Sequence, residues 1–158
     1  MAIELTKSFD AAQYSEALES WSGVDLRGKS PVFASLFGDV FLSSEDGYWF
    51  LDVVTGSLSR PWATGEAMET DLALPAAQEQ YLLASVAAEA TERGMSLGPA
   101  EVYDFVHSPS LGGAVGVDNL RPTDFVVAVN IAGQIHAQIR DLPPGTRISG
   151  FTKTDPSR

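Results

Sequence analysis

The chain has 158 residues, of which 44% are hydrophobic and 20% charged, and it contains no cysteine. This length suits one domain, and the composition excludes a disordered chain. The lack of cysteine excludes disulfides, thiolate metal sites and a cysteine nucleophile, and it fits a reducing compartment. No basic segment followed by an apolar run opens the chain, and no apolar run is long enough to span a bilayer. The sequence therefore predicts a cytoplasmic protein.

The formal net charge of −11 is unevenly distributed along the chain. Residues 31–120 hold thirteen acids against Arg60 and Arg93, whereas the two flanks hold eight acids and eight bases. An acidic central region repels nucleic acid and membrane surfaces and favours association with a basic protein. Solubility alone also explains an acidic surface, and charge by itself favours that simpler interpretation.

The first elements in the chain are an amphipathic helix and a β-meander. The pattern predicts a helix over Asp10–Trp21, capped by Ser8 and followed by a short loop, so residues 1–30 form an N-terminal helical segment. The next elements are strands. The three strands are the second half of Phe33–Leu42, Tyr48–Val54 and Ser57–Arg60. Asp46-Gly47 forms the turn between the first two, and Pro61-Trp62 leaves the sheet after the third.

Helices and strands then alternate. The sequence predicts a short helix over Gly65–Leu72, a longer one from Pro75 to Arg93, a strand over Glu101–Val106, and a long loop from His107 to Pro122. A strand over Phe125–Asn130 and a helix over Ile131–Leu142 follow.

In that last helix, Ile135, Ile139 and Leu142 have the spacing of a buried stripe, and Pro143-Pro144-Gly145 ends it. A short strand over Arg147–Phe151 and a frayed tail, residues 152–158, complete the chain. The predicted fold is α+β: one domain over residues 31–151, with an antiparallel β-meander and further strands packed against three to four helices.

Few residues have a pattern that indicates chemistry. His107 and His136 are 29 positions apart, which is no metal-ligand spacing, and a histidine at the edge of a helix face is more often a structural hydrogen bonder than a base. Asp39 and Asp52 could face each other as paired carboxylates, although a bend and a solvated face explain them more simply. The sequence predicts no enzyme, no catalytic residue, no metal and no cofactor.

Several strings, in order, resemble one family. They are Phe37-Gly-Asp-Val-Phe-Leu42, Asp46-Gly47, Trp49-Phe-Leu-Asp52, Gly56-Ser-Leu58, Leu97-Gly-Pro-Ala-Glu-Val-Tyr103-Asp-Phe105, Leu111-Gly112-Gly113, Val117-Asp-Asn-Leu120, and Gly133 to Gly145. Together they resemble the bacterial type VI secretion immunity domain over residues 31–150. The resemblance implies an α+β protein that binds a cognate toxin, in the founding case a DNase, and neutralises it without catalysis.

The resemblance and the charge lead to a specific prediction about the partner. A DNase presents a basic surface, and an acidic protein can occupy it. We expect a monomer or weak dimer that binds a basic toxin and neither nucleic acid nor membrane. The predicted contact residues are six acids and one outward aromatic side chain: Glu45, Asp46, Trp49, Asp52, Glu66, Glu69 and Asp71.

Two other functions remain open at this point. One is a small-molecule-sensing or protein-binding module of the same fold, which a buried pocket with polar groups near His136 and Asn130 would favour. The other is a metal-independent hydrolase that uses His136 with an acid.

Overall fold

The computed structural model describes residues 4–143, 145–147, 150 and 153–156. They form a five-stranded antiparallel sheet, a two-stranded ribbon and five α-helices, so the predicted α+β class is confirmed with one helix more than expected. The sheet strands are β1 (Thr6–Lys7), β2 (Ser30–Ser35), β3 (Val40–Ser44), β4 (Gly47–Asp52) and β5 (Ser57–Trp62), and the ribbon is β6 (Glu101–Phe105) with β7 (Leu120–Asp124). The helices are α1 (Ala11–Leu18), α2 (Gly65–Leu72), α3 (Pro75–Leu82), α4 (Ala84–Glu92) and α5 (Phe125–Ile139).

The sheet order is β1-β2-β3-β4-β5, and the predicted meander is its β3–β4–β5 half. Ser44 pairs with Gly47 across a tight turn, where Gly47 has a φ of 141° that a side chain would make unfavourable. The strand β5 continues to Trp62, which pairs with Tyr48, so the prediction that Pro61-Trp62 leaves the sheet is wrong. Proline is tolerated there because β5 is an edge strand.

Helices cover both faces of the sheet. On one face α1 and α5 enclose a core that includes Val40, Leu42, Leu51, Phe125 and Val129. On the other face α2 and α3 enclose a core of Phe41, Phe50, Trp62, Met68 and Leu82. Alternate residues of each strand therefore enter different cores, as the two-residue period of a strand requires.

The ribbon is attached to the edge of this arrangement and to α4. Tyr103 and Leu120 pack with Phe37, Ala87 and Ala90 in a third core cluster. The backbone N–H of Tyr103 donates to the carbonyl of Leu36 at 2.7 Å, which joins β6 to the segment between β2 and β3.

The C-terminal helix differs most from the prediction. Phe125–Asn130 is the first half of α5 and not a strand, because the Asp124 side chain caps the helix by accepting from the N–H of Val127. A short apolar run does not separate a strand from a buried helix. The buried positions of α5 are Phe125, Val126, Val129, Asn130 and Gly133. The predicted stripe of Ile135, Ile139 and Leu142 is therefore wrong, and Leu142 is 41% exposed.

Two helix boundaries also differ for local reasons. The Asp10 side chain caps α1 in a reciprocal capping box with Gln13, so the predicted Ser8 cap is wrong. The predicted long helix from Pro75 divides at Leu83, which has a left-handed φ of 49°. There the carboxylate of Glu79 accepts from the N–H and the hydroxyl of Ser85 and so caps the start of α4.

The last predicted elements lie partly outside the described residues. Residues 148, 149 and 151 of the predicted final strand, and residues 152, 157 and 158 of the predicted frayed tail, are among those not described. Within the described part, Thr154 accepts from and donates to the Gln134 side chain of α5. The frayed tail stays a prediction.

Candidate functional site

Four of the predicted contact acids lie near one another. Glu45 and Asp46 form the exposed tip of the β3–β4 hairpin, and Glu66 and Glu69 are exposed on α2. The tip adjoins the start of α2, since a Cβ on Gly47 would lie 2.5 Å from the carbonyl oxygen of Trp62 and 3.2 Å from Cα of Ala63. The structure therefore brings the hairpin tip and α2 together at one end of the sheet.

An open apolar depression lies beside these acids, and we call it the α2 groove. Its volume is about 460 Å³, and its walls are Val32, Phe33, Tyr48, Gly65, Met68, Glu69, Leu72 and Ala73. Val32 is 41% exposed, and a register shift in β2 occurs at this residue. On α2, Gly65, Met68, Glu69 and Leu72 have the spacing of one helix face.

The acids around the α2 groove have few cationic neighbours. Among the residues that the structure describes, no salt bridge reaches Glu45, Glu66 or Glu69. Arg60 lies at the hairpin tip, where its guanidinium donates to the carbonyl oxygen of Asp46. By contrast, Glu89 and Asp118 on another face both pair with Arg93. The α2 groove thus combines an apolar floor with an acidic rim.

The other three predicted contact residues do not line the α2 groove and have partners inside the protein. Trp49 belongs to the opposite face of the sheet, where its ring lies 4.3 Å from Nζ of Lys29. Asp52, at the far end of β4, accepts from the N–H groups of Val54 and Thr55. Asp71 accepts from Nε1 of Trp62 at 2.9 Å.

A second concave region, which we call the ribbon cavity, lies between α5 and the β6–β7 ribbon. Its volume is about 410 Å³, and Val53 and Val54 close one side. Its polar side chains include Asp104, Arg121, Thr123 and Lys153. Burial raises the pKa of the Asp104 carboxyl above its usual value, although the nearby Arg121 opposes this shift.

His136 lines the ribbon cavity, but both of its ring nitrogens lie against other residues of the protein. Because a carbonyl oxygen only accepts, Nε2 of His136 donates to the carbonyl of Val53, at 2.9 Å. Nδ1 faces Gly56, where an added Cβ would lie 2.7 Å away, and the ring is 5.4 Å from that of Trp21. Asn130 does not line the cavity, since its side chain donates to the carbonyl of Glu16 on α1.

The segment from His107 to Pro122, predicted as a loop, is partly regular. It contains 3₁₀ turns at Pro109–Leu111 and Val117–Asn119 and the start of β7. The Asn119 side chain accepts from the N–H of His107 and donates to its carbonyl, so the segment is ordered by its own contacts.

Asp39 is a buried structural residue and does not form an acid/base pair with Asp52. It is 4% exposed, and its carboxylate accepts from the N–H of Val53 and the hydroxyl of Ser35. Burial, with a smaller contribution from the nearby Asp52, raises its pKa to about 7. Through Val53, Asp39 and His136 hold the same wall of the ribbon cavity.

The described residues contain no cluster of three or more side chains able to hold a metal ion. In the same part of the chain, no helix is long and apolar enough to cross a membrane.

Comparison with known proteins finds a similarity to one family over part of the chain. Residues 71–136 match the family model described as T6SS immunity protein Tdi1, C-terminal. This part of the chain is therefore similar to the C-terminal domain of type VI secretion immunity proteins. The match confirms the resemblance for the strings from Leu97 to Leu120 and for the start of the Gly133 string. The strings of the meander lie outside the matched residues.

A solved structure shares the fold. It is the crystal structure of Atu4351 from Agrobacterium tumefaciens, with a TM-score of 0.53 and 20% sequence identity over 82% of this chain. The chain spans 66% of the length of that protein, and at this identity the likeness concerns the fold alone. No curated protein matches the chain.

Sequence reasoning missed the apolar half of the α2 groove and the charged side chains of the ribbon cavity. Val32 and Phe33 lie in β2, which was not predicted as a strand, and Arg121 lies in a segment predicted as loop. Two signals could have indicated a ribbon with one polar face. Asp104 interrupts the apolar residues of β6, and Thr123 and Asp124 directly precede α5. Since strand residues alternate between faces, Asp104 is expected on the face opposite to Tyr103 and Phe105.

Proposed function

We propose that the protein binds and neutralises a cognate secreted toxin in the cytoplasm, without catalysis. The observation that carries this proposal is the match of residues 71–136 to the immunity family. The toxin is a nuclease, and the inhibitor blocks it by covering its active or DNA-binding site. The acidic charge of the chain supports this choice, since a DNA-binding surface is basic.

The α2 groove is the proposed docking surface for a basic segment of the toxin. Its apolar floor, which includes Phe33, Tyr48 and Leu72, supplies the kind of core that dominates affinity in protein interfaces. The rim acids Glu45, Asp46, Glu66 and Glu69 attract and orient a cationic partner, which raises the association rate and the selectivity. Occlusion of the cleft is sufficient for inhibition, because DNA and the inhibitor compete for the same basic surface.

The test is co-expression with the toxin encoded beside the gene, followed by purification and a DNA-cleavage assay. The proposal predicts rescued growth, a complex on size exclusion, and cleavage that falls in proportion to bound inhibitor. Growth arrest without any complex would contradict toxin binding. A complex that leaves DNA cleavage intact would instead contradict inhibition by occlusion of a nuclease.

The docking surface is tested by the paired variant Glu66→Lys/Glu69→Lys. Its matched control is Glu19→Lys/Glu92→Lys, which changes net charge equally at two exposed positions, one directly after α1 and one on α4. Loss of rescue in the first variant alone supports the α2 groove. Equal loss in both would show that the toxin responds to total charge.

A further inference from the structure

The two faces of the β6–β7 ribbon differ in chemistry. Asp104 pairs with Arg121 and Val102 with Thr123, and directly opposed residues share a face. Val102 belongs to the core that contains Phe125 and Val129, so this face is directed at α5. The other face holds Tyr103, Phe105 and Leu120, packed with α4.

Three of the four positions on the α5 side are therefore polar: Asp104, Arg121 and Thr123. A ribbon that served only to pack against a helix would carry apolar residues there. These polar side chains leave the space between ribbon and helix unfilled, and that space is the ribbon cavity. Its volume of about 410 Å³ lies within the range typical of small-molecule sites.

The floor of the ribbon cavity is apolar. Val53, Ile131, Ala132 and Ile135 line it, and the last three lie on α5. Ile135 was expected in the core, but the structure leaves it half-buried at this floor. A ligand that fills the cavity must therefore carry a hydrocarbon or aromatic body.

The charged groups of the cavity are two cations and one carboxylate. Nη2 of Arg121 lies 3.6 Å from Oδ2 of Asp104, a loose contact, and the Arg121 side chain is 59% exposed. Arg121 and Lys153 both lie near enough to Asp104 to lower the pKa of its carboxyl, against the larger effect of burial. This excess of positive charge stands out in a chain whose net charge is −11.

We propose that the ribbon cavity binds a small organic carboxylate with an apolar body. The carboxylate pairs with the guanidinium of Arg121, and the body packs against Ala132 and Ile135. Arginine presents a planar fork of N–H donors that matches a carboxylate, and Lys153 adds a second cation. This site is separate from the α2 groove, and the proposal does not depend on toxin binding.

A purely structural role for Arg121 is the alternative. A cross-strand ion pair between Asp104 and Arg121 would contribute to ribbon stability in any sheet. It accounts for neither the open space beside the pair nor the second cation. The two roles differ in their consequence for ligand binding, which the following experiment measures.

The probes are 4-phenylbutyrate, 4-phenylbutanamide and 4-phenylbutylamine, which share a skeleton and differ in the charge of the head group. Octanoate serves as a second carboxylate with an aliphatic body. Binding to the full chain is measured by calorimetry and by ¹⁵N amide shifts. We expect the carboxylates to bind at least tenfold more tightly than the amide, with shifts confined to α5 and the ribbon, and the amine to bind least.

Three variants locate the site. Arg121→Gln removes the cation and should weaken carboxylate binding at least tenfold, and Ala132→Met should weaken it by reducing the space. The matched control is Arg27→Gln, at an exposed arginine paired with Asp25, which should leave binding within twofold. Circular dichroism and thermal unfolding confirm that each variant is folded.

Several outcomes would overturn the proposal. If both carboxylates fail to bind the folded chain, this ligand class is excluded. Equal affinity for the carboxylate and the amide would exclude recognition of charge. Unchanged binding by Arg121→Gln would exclude pairing with this arginine. None of these results bears on toxin neutralisation, which Arg121→Gln should retain in the co-expression assay.

Discussion

The α2 groove and the ribbon cavity differ in shape and in charge. The groove is open, and its apolar floor is bordered by acids without salt bridges among the described residues. The cavity is more enclosed, and two cations outnumber the single carboxylate of Asp104. The chain thus offers a surface suited to a basic macromolecule and a separate space suited to a small anion.

The two regions also differ in their relation to the family match. Most of the groove, including Val32, Phe33, Tyr48 and Glu69, lies before residue 71, whereas both ribbon strands and most of α5 lie within residues 71–136. The match therefore describes the scaffold of the cavity more than the proposed toxin-binding surface. If the toxin binds the groove as proposed, the choice of toxin depends on residues that lie mostly outside the family match.

The largest expected effect comes from reversing charge at the groove. Glu66→Lys/Glu69→Lys should weaken toxin binding at least 100-fold, or about 2.7 kcal/mol, because it sets like charges against a basic partner. Calorimetry with the purified toxin measures this change. Carboxylate binding in the cavity should stay within twofold. A toxin affinity that falls no further than in Glu19→Lys/Glu92→Lys would contradict the groove as docking surface.

The buried acid behind the cavity wall predicts a pH dependence of stability. Between about pH 4 and 7 the folded state keeps a proton on Asp39 that the unfolded state releases, because burial raises this pKa to about 7. The free energy of unfolding should therefore fall as pH rises through this window. Asp39→Asn should remove most of this fall, which a shift of about three units limits to roughly 4 kcal/mol.

Urea unfolding at pH 4, 5.5 and 7 measures this slope in both proteins. Glu92→Gln is the control, since Glu92 is an exposed carboxylate on α4. Equal slopes in the wild type and Asp39→Asn would show that Asp39 does not titrate on folding. Toxin affinity should not follow the state of Asp39, because this residue lies beside the cavity wall and not in the groove.

Salt should affect toxin binding at the groove mainly through the association rate. Raising ionic strength from 50 to 500 mM should slow toxin association about tenfold and change dissociation much less, because the rim acids act mainly before contact. Stopped-flow measurement separates the two rates. A dominant change in dissociation would mean that the acids are buried in the interface.

The smallest expected effect is at Trp49. The sequence placed this residue among the contacts, but it lies on the opposite face of the sheet from the α2 groove, beneath Lys29. Trp49→Ala should leave toxin affinity within twofold once the folded fraction is accounted for. Tyr48→Ala, which alters the groove floor, should weaken binding more than tenfold. The reverse order would move the interface to the α1–α5 face.

The sequence predicts the meander well because its signals are local. Asp46-Gly47 specifies a tight turn, and alternating large side chains follow it. It predicts α2 to the residue, where Thr64 caps the helix. It does not separate the first turns of α5 from a strand, because Phe125, Val126 and Val129 are buried by contacts with α1 and the sheet that are distant in sequence.

The candidate sites also combine features that local sequence patterns predict with features that depend on contacts distant in sequence. Glu66 and Glu69 could be predicted as exposed acids from composition alone. Their relation to Val32 and Phe33 depends on where α2 packs against the sheet, which no local pattern encodes. Arg121 was missed because its strand is short and its partner Asp104 lies 17 residues earlier.

Hydrogen–deuterium exchange of the toxin complex tests the central claim most directly. The account predicts that toxin binding slows exchange in residues 45–48 and 65–73, around the α2 groove, and leaves residues 102–106 and 120–124 of the ribbon unchanged. Protection of the ribbon with none at α2 would contradict it, because the toxin would then bind at the cavity and not at the acidic groove.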